Sequence, residues 1–278
     1  MASPLDRVRV VLVRPLRGGN VGAAARAMKN MGLSELVVVA PRTRVGAIGA
    51  RMAAHARDVL EARRTVPDLA SAVAECTLVV GTTCRAGGYR AAVRGLAEVA
   101  DEILSVARAH PVALVFGPED HGLDNADLRL CQRIVRIPTS DAYPSLNLAQ
   151  AVLLCGYELW LATIAPRSRA RGRGQARPEV RGSRRGAAST AGSTPATSEQ
   201  RQAMMTHLAQ ALERIGFLSR DNPEHILHDV RGLFARAALT ERDVRVWRGI
   251  ARQILWASAN APVARKARVR SRERGARA

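Results

Sequence analysis

The sequence predicts an α/β protein, a parallel sheet with helices on both faces, followed by a small α-helical C-terminal extension. Three observations carry that reading. Short β-branched runs alternate with stretches of helical apolar spacing over the first 165 residues, the rhythm of strands joined by crossover helices. The strand runs are apolar throughout, as strands covered on both faces must be. A break rich in Arg, Gly and Ser then interrupts the pattern before helical periodicity returns.

Taken in order, VRVVLV at 8–13 reads as the first strand, closed by Pro15. Residues 20–31 have helical spacing with Ala at 23, 24, 25 and 27, and stop at Gly32. Strands follow at 36–40 and 77–81, with helical sequence between them over 51–74. An amphipathic helix at 96–109 precedes short strands at 112–117 and 134–137. A long apolar helix over 145–163, with Ser145 in N-cap position, closes the unit. The domain boundaries expected from this are 1–165 for the α/β unit, 166–197 for a linker, 198–264 for the helical extension and 265–278 for a basic tail. Within the extension, helices are expected at 198–214, capped by Ser198, through 223–237, and at 240–257, where Thr240 and Asp243 fit a capping box.

The 278 residues carry 43 Lys+Arg against 24 Asp+Glu, a formal net charge of +19. Residues 167–185 contribute +7 and residues 265–277 contribute +6, so two short segments supply most of it. Each reads as a solvated run, and the excess favours a polyanionic partner such as a nucleic acid. Hydrophobic residues at 47% suffice for a core, whereas aromatics at 3% leave few rings for stacking on bases. The four cysteines, at 76, 84, 131 and 155, have neither CxxC spacing nor a matching His set, so no metal is expected. MASPLDRVRV lacks an apolar stretch of signal-peptide length, and the apolar run at 151–165 is too short for a bilayer, so a cytoplasmic protein without a membrane partner is expected.

Three segments carry candidate chemistry. RPLRGGNVGAAAR joins the first strand to its helix, a turn that can offer backbone NH groups to an anion. It has neither the P-loop GxxxxGK[ST] nor a GxGxxG, and the second strand ends in Ala40-Pro41 with no ribose-binding acid. FGPEDHGL places Gly117 and Glu119 in the loop after a strand, where parallel sheets bind ligands. IPTSDAYPSLNLAQAV runs from Ile137 through Ser145 and Asn147 into the last helix of the unit.

Together these segments closely resemble, in order and interval, the three signature motifs of the SpoU/TrmH group of SPOUT RNA methyltransferases. The stretch LFARAALTERDVRVWRGIARQI resembles the helical extension of that group's TrmJ branch, which 2'-O-methylates a ribose in the tRNA anticodon loop. The resemblance implies a sheet whose C-terminal segment forms a deep trefoil knot, and a homodimer with RNA contacts from both chains. It implies S-adenosylmethionine bound against Thr82, Thr83, Cys84, Gly117, Ile137, Pro144, Ser145 and Leu146. Catalytic positions would be Arg26 at the 2'-hydroxyl, with Asn20, Glu119, Ser145 and Asn147 positioning it, the ribose and the cofactor. A guanidinium holds its proton in nearly all proteins, so a hold on phosphate and on developing oxyanion charge suits Arg26 better than a base role. The leading expectation is cytidine or uridine 2'-O-methylation of tRNA. The competing ones are the same reaction on rRNA or another RNA, and a non-catalytic RNA-binding module.

Overall fold

The computed structural model describes residues 3–84, 93–164, 194–218 and 223–260. Most of the expected linker, the end of the extension and the whole basic tail lie outside the described residues. Seven strands form one sheet in which every pairing is parallel: β1 (Val8–Val13), β2 (Glu35–Val39), β3 (Arg64–Val66), β4 (Leu78–Thr82), β5 (Val93–Gly95), β6 (Val112–Phe116) and β7 (Arg133–Arg136). Their spatial order is β3-β2-β1-β6-β4-β7-β5. The central register is flush, with Val10 opposite both Leu36 and Leu114.

All six residues of β1 are buried, the consequence of a central strand with both faces covered. Alternate side chains serve different layers. Val8, Val10 and Leu12 join one core with α1 (Gly18–Asn30), α5 (Leu96–Ala107) and α7 (Leu148–Ile164). Val11 and Val13 join a second core with α4 (Leu69–Val73) and α6 (Asn125–Arg129). Arg9 is the exception, buried on the second face; its guanidinium reaches Glu35 at 2.5 Å, the Ala72 carbonyl at 2.7 Å and Glu75 at 3.2 Å.

Several sequence expectations are corrected. The helical stretch expected over 51–74 is divided into α2 (Gly46–Ala53), α3 (Arg57–Glu61), β3 and α4. Ala54 takes φ +50, which ends α2, and Asp68 after Pro67 starts α4 by accepting from Ser71 N at 2.7 Å. The last helix of the unit starts at Leu148 rather than Ser145, because Asn147 is its cap: Asn147 Oδ1 accepts from Ala149 N at 2.9 Å, and Asn147 N donates to Gln150 Oε1 at 3.2 Å. The same correction applies to α8 (Ser198–Arg214), capped by Thr197 with Gln200 closing the box.

Glycines decide how tightly the first motif packs. A Cβ on Gly22 would stand 2.0 Å from the Gly49 carbonyl oxygen, so α1 and α2 approach backbone to backbone. In the extension, α8 and α10 (Glu241–Asn260) pack around Met204, Leu239 and Val244. The third helix, α9 (Pro223–Ala237), adds Phe234 edge-on to Trp247, with ring centroids 5.0 Å apart. Ser198 N and Glu199 N donate to the carbonyls of Cys76 and Ala74, so the start of α8 caps the chain leaving α4. Among the described residues no helix is long and apolar enough to cross a membrane.

Candidate active site

Four strands deliver their carboxyl ends to one region. After β1 the chain turns through Arg14–Arg17 into α1, which carries Asn20 near its start. After β6 the chain folds back on itself. Gly122 takes φ +69 and its N donates to the Pro118 carbonyl at 2.9 Å. A Cβ on Gly117 would come 2.2 Å from Gly122, so only glycine permits the fold-back. That loop aims Glu119 at the first motif: one carboxylate oxygen accepts from Leu16 N at 2.8 Å, the other from Asn20 Nδ2 at 2.7 Å.

A carboxylate can only accept, which fixes the Asn20 amide with its nitrogen toward Glu119 and its oxygen free. Asn147 Nδ2 donates to that oxygen at 3.1 Å while its own oxygen caps α7. Glu119, Asn20 and Asn147 thus form one hydrogen-bonded chain in which Asn20, at the start of α1, is joined to residues 99 and 127 positions further along the sequence.

Beside this chain lies a cavity of about 240 Å³. The structure brings all eight expected cofactor residues to its wall: Thr82, Thr83, Cys84, Gly117, Ile137, Pro144, Ser145 and Leu146. Glu119 lines it as well. The wall is held by Thr82 Oγ1 donating to the Val115 carbonyl at 3.0 Å and Thr83 N donating to that of Val135 at 3.0 Å. Phe116, Ile137 and Leu146 provide apolar surface suited to a purine ring, and Gly117 presents backbone alone. Those features fit a nucleoside-bearing cofactor.

Arg26 is placed apart. It sits on α1 six residues beyond Asn20, roughly 9 Å along the axis. It is exposed, does not line the cavity, and has no hydrogen bond or ion pair among the described residues. Ser145 lines the cavity but is exposed and caps nothing. Sequence reasoning missed the Leu16 amide and the Asp124–Asp127 pair that starts α6. The DxxD spacing in GLDNADL was the available signal, since Asp124 accepts from Asp127 N at 2.8 Å in a capping box.

Comparison with known proteins agrees with this geometry. Residues 7–157 match the SpoU rRNA Methylase family, and residues 199–269 match the C-terminal domain of the tRNA methyltransferase TrmJ. A Pseudomonas aeruginosa protein named tRNA (cytidine/uridine/adenosine-2'-O-)-methyltransferase TrmJ is 37% identical over 88% of this chain and 93% of its own. The Escherichia coli K12 tRNA (cytidine/uridine-2'-O-)-methyltransferase TrmJ is 33% identical over 88% and 94%. The crystal structure of TrmJ from Z. mobilis ZM4 superposes with a TM-score of 0.71 at 31% identity, covering 89% of this chain and 98% of that one.

A parallel sheet that gathers a cofactor-sized cavity and an asparagine–carboxylate chain at its carboxyl edge is a methylase frame, and the chain belongs to the SpoU rRNA methylase family. Within that family it falls in the TrmJ branch, with the TrmJ C-terminal domain following the catalytic unit. Methylases of this family draw on S-adenosylmethionine.

Proposed function

We propose that the protein transfers a methyl group to the 2'-hydroxyl of a cytidine or uridine ribose in the tRNA anticodon loop, acting in the cytoplasm as a homodimer. The observation that carries this reading is the Glu119–Asn20–Asn147 chain, which ties the cavity wall to the helix bearing Arg26, exposed and unpaired among the described residues. S-adenosylmethionine, held by the loops at 82–84, 117–122 and 137–146, supplies an activated methyl group when bound.

The protein's own task is orientation and electrostatics. Glu119 and Asn147 fix the Asn20 amide, and Asn20 in turn fixes the start of α1 against the cavity. Arg26 then meets the RNA from α1, gripping a phosphate beside the target ribose and stabilising negative charge developing on the 2'-oxygen. It stays a guanidinium throughout. Ser145 and Leu146 close the cofactor side of the cavity.

The tRNA reading rests on residues 199–269, which match a tRNA-methyltransferase domain, and on the names of the relatives. The family-level name points instead to rRNA, and substrate comparison separates the two. The deep trefoil knot, formed by residues 137–164, is supported by the adjacency of β4, β6 and β7 and by the convergence of their loops on one cavity. A dimer through α7 is supported by Leu154, Tyr157, Trp160 and Ile164, exposed at about one-turn intervals.

The test is labelled methyl transfer to bulk tRNA and to rRNA by wild type and Arg26→Ala, with calorimetric titration of the cofactor. Arg26→Ala is expected to cost about 10²-fold or more in kcat with cofactor affinity unchanged. An equal loss of cofactor affinity would remove Arg26 from its assigned role. Methyl groups appearing in rRNA alone would overturn the tRNA reading.

A further inference from the structure

The turn that carries the first motif is tied to the segment after β6 at two places. Glu119 holds it at Leu16 and Asn20. The second hold is Arg14, the residue immediately after β1. Its backbone takes φ +47, a left-handed conformation that side-chain-bearing residues rarely adopt, while its N donates to the Val39 carbonyl at 2.8 Å. That conformation turns the guanidinium away from the sheet and across to the start of α6. There Nη2 lies 2.5 Å from Asp127 Oδ2 and 3.0 Å from Asp124 Oδ2, and Nη1 lies 3.3 Å from Asp127 Oδ1.

The two acids are well prepared for this contact. They are the N-cap and N3 residues of α6, locked to each other's backbone, and Asp127 is 5% exposed. The loop that carries Glu119 runs directly into this capping box. Arg14 and Glu119 are therefore two rungs between the same two segments, 14–20 and 117–127, pointing in opposite directions: a cation from the first to acids on the second, and an acid from the second to donors on the first.

We propose that Arg14 is a positioning residue for methyl transfer. By clamping the first turn to the α6 start, it sets the spacing at which Glu119 can reach both Leu16 N and Asn20, and so the position of α1 and Arg26 relative to the cofactor cavity. The proposal builds on the methyltransferase reading above. One rung alone ties the two segments at a single point, leaving the rest of the turn to its bonds with Val39, Arg42 and Asn147. With both in place the segments are tied at two separate points.

The experiment uses the full chain with Arg14→Ala, Arg14→Lys, Asn20→Ala and the Arg14→Ala/Asn20→Ala double variant, each checked for folding by thermal melting. For Arg14→Ala, kcat on tRNA is expected to fall about tenfold or more, with the KM for tRNA changed less than about threefold. Lys can serve one carboxylate but not make the forked contact, so Arg14→Lys should fall between wild type and Arg14→Ala. If Arg14 acts through Asn20, removing it in the Asn20→Ala background costs little more. Losses that multiply in the double variant overturn the proposal, as does wild-type kcat in folded Arg14→Ala or folded Asn20→Ala.

Amide exchange at Leu16 gives a readout free of activity. Exchange about tenfold faster in Arg14→Lys supports the two-rung arrangement, and unchanged exchange overturns it. A wild-type enzyme inert on tRNA would instead overturn the substrate reading, leaving the exchange result to judge Arg14.

Discussion

The α/β unit and the helical extension are held together in different ways. In the unit, β1 buries every residue and its two faces feed two cores, so position is enforced by close packing on all sides. In the extension, Ile215, Phe217, Leu233, Val246, Ile250 and Trp256 remain exposed around a small core that includes Met204, Leu239 and Val244. Its attachment to the unit includes a set of polar tethers, the amides of Ser198 and Glu199 and the guanidinium of Arg201. The difference teaches where precision is needed. Methyl transfer requires groups from distant loops in one fixed geometry, which a packed core provides, whereas the extension lines none of the cavity and can be docked by a few bonds.

The largest effect should come from breaking the packed side. In Gly22→Ala the new Cβ meets the Gly49 carbonyl oxygen at 2.0 Å, and neither partner is a flexible side chain. The helices α1 and α2 must part, at a cost of about 3 kcal/mol or more. Urea denaturation should show the loss, and methyl transfer should fall with it because Asn20 rides on the same helix. A loss below about 1 kcal/mol would mean that α2 yields freely and that the contact is looser than the rest of the unit.

A smaller and more local effect is expected at the tether. Arg201 donates to the Ala196 and Cys76 carbonyls and to Gln132 Oε1, all neutral acceptors. Burial pulls its pKa down from the ordinary guanidinium range to about 10, opposed by Cys76. The folded value lies below the unfolded one, so the burial penalty is present in full at neutral pH. It is relieved only as pH rises through about 10, where the unfolded chain binds more protons than the folded one. Arg201→Ala should therefore cost about 1–3 kcal/mol, from unmet carbonyls and lost packing, and Arg201→Met clearly less. Hydrogen exchange should show α8 losing protection while β1 and β6 keep theirs. Equal loss in both regions would erase the contrast between them.

The sequence was most legible where one physical rule sufficed. β-branched runs marked β1, β2, β4, β6 and β7, and the helix expected through 223–237 is α9 at its observed bounds, Pro223–Ala237. The strands β3 and β5 escaped because three-residue edge strands with polar members, RTV and VRG, carry no periodicity. The misplaced caps share one cause. Ser145 and Ser198 are good capping types, but Asn147 and Thr197 have a Gln three residues on that reaches back, and the Ser residues do not. The residues that line or border the cavity were legible as motifs, yet their joining was not. Arg14 meets Asp124 and Asp127 across more than a hundred residues, a pairing no local pattern announces.

The smallest effect on chemistry is expected from the arginine-rich segments, 167–185 and 265–277, whose +7 and +6 charges lie outside the described residues. If they are solvated linkers only, deleting them leaves tRNA affinity unchanged at every salt concentration. If they track phosphates, each neutralised phosphate releases condensed counterions, steepening the fall of affinity by about 0.9 log units per log unit of salt on duplex and about 0.7 on single strands. A deletion that frees two or three phosphates would then flatten the slope by about two units. That flattening is the expected outcome, with kcat at saturating tRNA little changed, because the cavity and the Glu119–Asn20–Asn147 chain belong to the packed unit. Binding of wild-type and segment-deleted protein to tRNA across a salt series measures it. Parallel log–log lines would leave RNA affinity to the described surfaces, while a flattened slope with a large fall in kcat would mean that these segments also order the site.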